Sequence, residues 1–274
     1  MRSLALPLAA LAAALAGCSS SNSPASAAKT TPAPTPPPQA QPTQAQLTPK
    51  PSQPALIPAP SQSIRLRGEA IATQEDEETW TSGTALIDTA LPDGYAPPTP
   101  PGCIDIKAYP SLRRAQTTGT MSPRIGMRMA FFPLFNHITR RDIPMTSPVE
   151  MDYQGWTRKD DQPLPKAKDS PERWTMSFLY RTPDLGPAGD DAKDSRIIVI
   201  DTPERLVISL GFQGGYGMAN LRTNLDTLAE WIAQDGRYEV IGEPRALNYN
   251  GPDQRDALKW GEVQLPVKPK AQTP

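Results

Sequence analysis

The sequence is poor in the residues that build metal centres and disulfide frameworks. It has one histidine and two cysteines in 274 residues. This scarcity argues against a structural zinc site, an iron–sulfur cluster, a multi-histidine catalytic metal centre and a disulfide-stapled fold. An excess of one charge is also lacking, since the net charge is −1. Proteins whose main partner is nucleic acid normally carry a basic excess, so we expect no nucleic-acid partner.

The N-terminal apolar run is too short to span a bilayer as a helix. Residues 4–15 are mostly Ala and Leu after Arg2, whereas a membrane-spanning helix needs about 20 apolar residues. Such a run is typical of a secretory signal peptide. The following Leu15-Ala16-Gly17-Cys18 resembles the bacterial lipobox, whose cysteine is diacylated and becomes the new N-terminus.

We therefore expect residues 1–17 to be a lipoprotein signal peptide and Cys18 to carry the lipid. Two acyl chains give stable anchoring, so the protein would sit on a membrane of the cell envelope without spanning it. Ser19 resembles the residue after the cysteine in lipoproteins sent to an outer membrane, in a bacterium with two membranes. The alternative is an ordinary secretory signal in which the cysteine is incidental.

Composition divides the rest of the chain. Residues 18–63 form a Pro/Ser/Ala/Gln-rich segment with 12 of the 34 prolines and two charged residues, which predicts a disordered linker biased to polyproline II. All 29 acidic and 25 of the 28 basic residues follow it. We interpret residues 64–101 as an N-terminal extension with one strand, residues 102–267 as the globular domain, and residues 268–274 as a disordered tail.

Hydrophobic periodicity predicts a domain made mainly of strands with two helices. Alternating apolar residues indicate strands over 104–118, 143–153, 173–181, 196–212, 237–250 and 260–267. Spacings of three and four predict a helix over 218–235, ended by Gly236, and a second helix near 131–140 with Pro133 in its first turn.

The order of these elements repeats. Strand, helix, strand, strand occurs twice, which suggests an α+β fold: a distorted antiparallel β-barrel from two repeats with two flanking helices. A cleft between helix and sheet is the default place for a small apolar ligand.

Specific motifs lie along this domain in order. They comprise an opening strand, a helix followed by a strand entry, and several shorter motifs. In chain order they are Ile104 to Pro110 with Arg114-Ala115, Phe132 to Ile138, Ile143 to Val149, Met176-Ser177-Phe178, Gly214-Gly215-Tyr216, Tyr249 to Pro252, and Glu262-Val263. Together they resemble the SOUL haem-binding protein family over residues 102–267, including its "I-x-M-T-x-P-V" sequence.

The resemblance implies a fold of two four-stranded units with flanking helices, and tetrapyrrole binding rather than catalysis. In the family the porphyrin is thought to lie in an apolar cleft beside the first helix. Matching residues here are Met127, Arg128, Met129, Phe132, Phe135 and Met145. Methionine adapts to a flat aromatic ligand, and arginine can pair with propionates. The alternative is that the apolar members are ordinary core residues.

His137 is the candidate ligand for haem iron, because imidazole is a common axial ligand and the chain has no other histidine. The family usually has an aromatic residue at that position, and the histidine proposed as a ligand in one branch has no match in this chain. The other interpretation is a helix residue whose ring is hydrogen-bonded.

Two departures from the family pattern leave the ligand open. Trp260-Gly261 stands where the family commonly has Arg-Asn, and the loop from Gln154 to Arg173 is rich in charge and proline. We expect Trp260-Gly261 and this loop to lie near the mouth of the cleft. They favour an alternative function, a module of the same fold that binds another apolar effector or an envelope partner without haem.

An enzyme is the weakest hypothesis. The sequence has no Ser/His/Asp order, no phosphate-binding glycine loop and no clustered metal ligands. The acidic pairs Glu77-Glu78 and Asp190-Asp191 are expected in solvated loops.

Overall fold

The computed structural model describes residues 54–156 and 171–271. The signal peptide, Cys18, most of the predicted linker and most of the loop between Gln154 and Arg173 lie outside these ranges. Neither helix in the described ranges combines the length and apolar character needed to cross a membrane.

The described residues contain two long helices and a series of strands. The helices are α1 (Pro123–Arg140) and α2 (Met218–Asp235). The strands are β1 (Ser63–Arg67), β2 (Thr73–Gln74), β3 (Thr79–Ser82), β4 (Ala85–Asp88), β5 (Ile104–Tyr109), β6 (Arg113–Gly119), β7 (Val149–Gln154), β8 (Arg173–Leu179), β9 (Gly189–Asp190), β10 (Ile198–Asp201), β11 (Arg205–Gln213), β12 (Tyr238–Val240), β13 (Arg245–Asn248) and β14 (Trp260–Pro269).

One large antiparallel sheet dominates the fold. Its order is β1-β5-β11-β14-β13-β7-β8-β6-β10-β9, and β12 pairs with β14. The prediction of an α+β fold with a mainly antiparallel sheet and two helices is confirmed. The order begins at β1 and ends at β9, and no ladder joins these two strands in the described ranges. The distorted barrel therefore stays a prediction.

The two repeats exchange their first strands. The first strand predicted for each repeat is in fact two strands, β5 and β6 in one repeat and β10 and β11 in the other. Strand β5 pairs with β11, in the half of the sheet that also holds β14 and β13 of the second repeat. Strand β10 pairs with β6, in the half that also holds β8 and β7 of the first. The β5–β11 pair places Ile106 opposite Ile208. Sequence periodicity identifies the strands but carries no information about this exchange, because it results from long-range pairing.

Helix α2 agrees with the sequence prediction, and α1 begins earlier than predicted. Gly236 ends α2 in the left-handed conformation at φ 76°. In α1, Pro123 occupies the first turn and Pro133 lies inside the helix, so the placement of Pro133 in the first turn was wrong. The helix continues through Pro133 because Leu134 and Ile138 are buried against the sheet.

The N-terminal extension contains more strands than the one expected. Strand β1 pairs with β5, and β2, β3 and β4 form a separate three-stranded sheet. This sheet is not merely peripheral, because Ile87 of β4 is 0% exposed and packs in a second apolar cluster with Trp260. At the other end, β14 extends to Pro269, two residues beyond the expected domain boundary.

Candidate ligand-binding groove

A groove of about 920 Å³ lies between the first half of α1 and the start of α2. This volume falls within the range of about 300–1,000 Å³ usual for small-molecule sites. We call it the α1–α2 groove. Its lining residues are Ser122, Pro123, Ile125, Met127, Arg128, Met129, Tyr216, Gly217 and Met218.

Trp174 of β8 fixes the start of α1 and so one wall of the groove. Its indole Nε1 donates to the carbonyl oxygen of Met121 at 2.8 Å, one residue before Ser122. Gly126 of α1 and Gly119 of β6 both face this ring so closely that an added Cβ would overlap it. The first turns of α1 can therefore approach the sheet because position 126 has no side chain.

Tyr216 forms the opposite wall through its ring. Its hydroxyl donates to the backbone carbonyl oxygen of Trp260 at 2.7 Å and accepts from the backbone N–H of Asn250 at 3.0 Å. Burial raises the pKa of this hydroxyl, so Tyr216 stays neutral at physiological pH. Because its polar end is hydrogen-bonded to the protein, Tyr216 offers mainly an aromatic surface to a ligand.

The structure brings three of the predicted site residues into the groove. Met127, Arg128 and Met129 line it. Sequence reasoning missed Tyr216 and Met218, although the Gly214-Gly215-Tyr216 motif was a signal close by. The motif lies between β11 and α2, and hydrophobic periodicity carries no information that it faces α1.

The remaining predicted residues lie elsewhere. Phe132 and Phe135 are 65% and 42% exposed and do not line the groove. Met145 is partly buried against the main core. With neighbouring exposed positions, the two phenylalanines form an apolar stripe that starts at Met121, just before α1, and continues along α1 through Ile125, Met129, Phe132 and Phe135. Single exposed apolar residues are ordinary, but a row on one helix marks a contact surface.

His137 is a fully buried core residue whose two ring nitrogens both have protein partners. Its Nδ1 lies 2.6 Å from Asp191 Oδ2, and its Nε2 lies 2.7 Å from the Tyr180 hydroxyl. Arg140 and Arg141 also contact Asp191, at 3.1 and 3.4 Å. With both nitrogens engaged, this arrangement offers no free lone pair to iron.

The charges around His137 define its tautomer. Burial alone would raise the pKa of Asp191, but hydrogen bonds from the amide of Lys193, from Arg140 and from His137 lower it on balance. The ionised carboxylate therefore accepts Nδ1–H, and Nε2 accepts the Tyr180 hydroxyl proton. Asp191 is 5% exposed, so its expected place in a solvated loop was wrong.

We expect the folded protein to lose stability as pH falls below about 6.5, the ordinary histidine pKa. Burial, followed by the positive charge of Arg141, lowers the pKa of His137, although Asp191 opposes this effect. The unfolded chain then binds the proton more readily, and each unit of difference corresponds to about 1.36 kcal/mol.

The imidazole resonance measures this pKa directly, because the chain has one histidine. We expect it to titrate below 6.5 in the folded protein and near 6.5 in urea. A folded-state pKa at or above 6.5 would contradict the neutral, hydrogen-bonded ring.

The sequence predicted Trp260 and Gly261 near the mouth of the cleft. The structure places both outside the groove lining. The Trp260 side chain is 0% exposed, and its indole donates to the carbonyl oxygen of Thr99 at 2.7 Å. Gly261 lies under the ring of Phe212 with no room for a Cβ. This departure from the family pattern therefore affects packing against the N-terminal extension rather than the groove lining.

The described part of the chain has no group of three or more His, Cys, Asp or Glu side chains arranged to hold a metal ion.

Comparison with solved structures gives distant likenesses. A complex of EcmrR with DNA matches with a TM-score of 0.47 and 16% identity, covering 60% of this chain and 57% of that one. A hydrolase from Listeria innocua matches with a TM-score of 0.44 and 13% identity, covering 63% of this chain and 94% of that one. A putative transcription regulation protein from Staphylococcus aureus matches with a TM-score of 0.36 and 14% identity, covering 60% of this chain and 97% of that one. This chain thus spans little more than half of the EcmrR chain.

The comparison with protein families is more informative. No curated protein matches the sequence. Residues 95–266, well over half of the chain, match the family described as SOUL heme-binding protein. The match covers both helices, every described residue of the α1–α2 groove, and the large sheet except β1 and the last residues of β14. The chain belongs to the SOUL heme-binding protein family.

Proposed function

We propose that this protein binds haem or another tetrapyrrole in the α1–α2 groove, without catalysis, for sequestration, buffering or transport. The observation that carries the proposal is the groove itself. Within a domain of a haem-binding family, its described lining includes methionines, an aromatic ring and an arginine. These groups suit a flat apolar ligand with acidic side groups.

The residues of the groove fit a porphyrin in two respects. Met127, Met129 and Met218 line it, and their polarizable thioethers can pack against the faces of an aromatic macrocycle. Arg128 is exposed at the groove, where its guanidinium can pair with a propionate. A bound haem would supply an iron centre, and the chain would supply the apolar walls and the countercharge.

Iron ligation by His137 is not part of the proposal. The ring is 0% exposed, is held between Asp191 and Tyr180, and lies outside the groove lining. The proposed binding therefore depends on the macrocycle and its acidic groups. Iron-free protoporphyrin should then bind about as tightly as hemin.

We also propose that a lipid on Cys18 tethers the domain to a membrane of the cell envelope, in an outer membrane or on a periplasmic face. The support is in the sequence: the short apolar run, the lipobox-like tetrapeptide and the Pro-rich segment that follows it. Mass spectrometry of the N-terminal peptide from native membranes tests this tether. Diacylated Cys18 is the expected result, and an unmodified cysteine would rule it out.

A second candidate function rests on the apolar stripe, which extends along α1 beyond the groove through Phe132 and Phe135. A surface of this kind suits another apolar effector or an envelope partner that contacts the helix without haem. The two functions differ in the side chains that they need. Tetrapyrrole binding in the groove needs Met129 but not Phe135, whereas binding along the stripe needs both.

Hemin titration of the purified chain tests the proposed function. We expect saturable one-to-one binding with a shifted Soret band. Met129→Ala should weaken this binding about tenfold. The bound ligand would cover the exposed Met129 side chain, and losing part of that contact costs roughly 1.4 kcal/mol. Arg128→Gln should weaken binding a few-fold, with a dependence on salt.

Phe135→Ala is the matched control, since Phe135 is exposed on the same helix but does not line the groove. It should leave the affinity nearly unchanged. An equal loss from Phe135→Ala and Met129→Ala would place the ligand along the stripe. No saturable binding would remove the tetrapyrrole proposal and favour the second function.

A further inference from the structure

The large sheet has a second face that the proposed function does not use. Side chains alternate between the two faces of a strand. Ala115, Ile208 and Ala246 belong to the main core that contains the buried residues of α1 and α2. Arg114 and Arg245 are the sequence neighbours of Ala115 and Ala246, and Arg205 lies three residues before Ile208 on β11, so these three arginines lie on the opposite face.

Arg114, Arg205 and Arg245 meet two carboxylates there. Arg114 donates from Nη1 to Glu150 Oε2 at 2.9 Å and from Nη2 to Asp152 Oδ2 at 2.8 Å. Arg245 donates from Nη1 to Glu150 Oε1 at 2.8 Å. Arg205 approaches Asp152 Oδ1 at 4.0 Å. Among the described residues, three guanidinium groups thus face two carboxylates, which gives this cluster one positive charge in excess.

The adjoining charges do not compensate this excess. Lys107 is paired with Glu262 at 2.8 Å, and both side chains are 0% exposed. Asp105 is paired with Arg65. Each of these pairs is neutral by itself, so in the described part of the chain the extra charge stays with the three arginines.

The cluster also has hydrogen-bond donors without partners. Within the described part of the chain, Arg114 Nε, Arg245 Nη2 and the nearby Ser177 Oγ are buried without a hydrogen-bond partner, as is one acceptor, Gln116 Oε1. Arg114, Arg245 and Ser177 are 6%, 3% and 0% exposed. Buried polar groups are usually satisfied, since an unmade hydrogen bond costs about 1–3 kcal/mol. Unused donors beside an excess positive charge are the arrangement that an anion would complete.

Arg205 differs electrostatically from its neighbours. Burial, and then the positive charge of Arg245, lowers the pKa of Arg205, although Glu150 and Asp152 oppose this. For Arg114 and Arg245 burial also acts to lower the pKa, but their carboxylate partners raise it overall. Of the three arginines, Arg205 therefore has the most distant counterion among the described residues, Asp152 at 4.0 Å.

The cluster is accessible from one side. The Arg205 and Asp152 side chains are 20% and 24% exposed. Gln116 is half-buried and Thr118 is exposed on the neighbouring strand β6. A small solute can therefore reach Arg205, whereas Arg114 and Arg245 form the interior of the cluster.

We propose that Arg205, together with the unused donors of Arg114 and Arg245, forms a binding site for a small oxyanion, either a carboxylate or a phosphate group. The anion neutralises the excess charge and accepts from the buried N–H groups. This site lies on the face opposite the helices, so its occupancy is separate from tetrapyrrole binding in the α1–α2 groove.

Thermal unfolding of the full chain at constant ionic strength tests this site. Sodium phosphate or sodium acetate replaces sodium chloride stepwise. Saturable stabilisation over chloride is expected, by about 3–6 °C at ten times the dissociation constant. Phosphate alone stabilising identifies a phosphate-type ligand, and acetate stabilising as well identifies a carboxylate-type ligand.

Two variants decide the outcome. Arg205→Gln removes the excess charge, so it should abolish the anion-dependent shift while unfolding in chloride at the same temperature as the native chain or higher. Arg196→Gln is the control, because Arg196 is an exposed arginine that pairs with Asp194, and the shift should persist. The proposal is overturned if neither anion stabilises the native chain, if the shift survives Arg205→Gln, or if Arg205→Gln unfolds well below the native temperature in chloride.

Discussion

Replacing Lys107 by methionine is expected to destabilise the fold by about 3–5 kcal/mol, because it leaves a buried carboxylate without its cation. Lys107 Nζ lies 2.8 Å from both oxygens of Glu262, and both side chains are 0% exposed. Glu262 also accepts from the amide of Thr99 and from the Tyr249 hydroxyl, each at 2.7 Å. These neutral donors remain in the variant but do not replace the charge.

Urea unfolding measures this loss, and its pH dependence identifies the cause. In the native chain, burial acts to raise the pKa of Glu262, but Lys107, with hydrogen bonds from Ser209 and the amide of Thr99, lowers it on balance. Without Lys107, burial raises that pKa, so the carboxyl takes up a proton more easily in the folded variant. The difference between native and variant stability should therefore shrink as pH falls towards 4.

Lys268→Met is the matched control, since Lys268 and Glu239 form a salt bridge in which both side chains are about half exposed. It should change stability by less than about 1 kcal/mol. Equal effects of the two lysine variants, or a Lys107 effect that is independent of pH, would contradict the role assigned to the buried pair.

Replacing Trp174 by alanine is expected to cost about 3–5 kcal/mol and to weaken hemin binding as well. The indole is 4% exposed, donates to the carbonyl oxygen of Met121, and lies against Gly126. Its removal leaves a cavity beneath the first turns of α1. The groove wall formed by Met127 and Met129 should then lose its fixed position.

Trp80→Ala separates the two effects, because Trp80 lies on β3 of the small sheet and packs in the second apolar cluster. It should reduce stability without changing hemin affinity. Hemin titrations are carried out well below each unfolding midpoint, so that both variants are folded. If the Trp174 variant bound hemin as tightly as the native chain, the position of α1 would not determine the groove.

Local patterns predicted much of the secondary structure. Leu221, Leu225, Leu228 and Ile232 recur at helical spacing, are all buried and lie in α2. Alternation in β5 and β8 likewise marked real strands. Helix α2 was predictable because one buried face imposes its period on the sequence. Strands β5 and β8 are buried on both faces, and there the alternation separates apolar core residues from buried polar ones.

Features that depend on distant contacts were not predictable. The early start of α1 depends on Trp174, which lies about 50 residues further along the chain. The partners of His137 come from Tyr180 and Asp191, and no local pattern indicates that they meet. In the same way, the family resemblance pointed to Met127 and Met129, but no local pattern showed that they lie across the groove from Tyr216 and Met218.

The most direct test of the account is a methyl NMR titration with hemin, using methionine methyl groups as probes. The eight methionines include Met127, Met129 and Met218 in the groove, Met145 outside it and Met151 in the core. We expect hemin to shift or broaden the three groove signals at one equivalent and to leave Met145 and Met151 nearly unchanged. Perturbation of Met145 without Met218 would contradict the α1–α2 groove as the tetrapyrrole site.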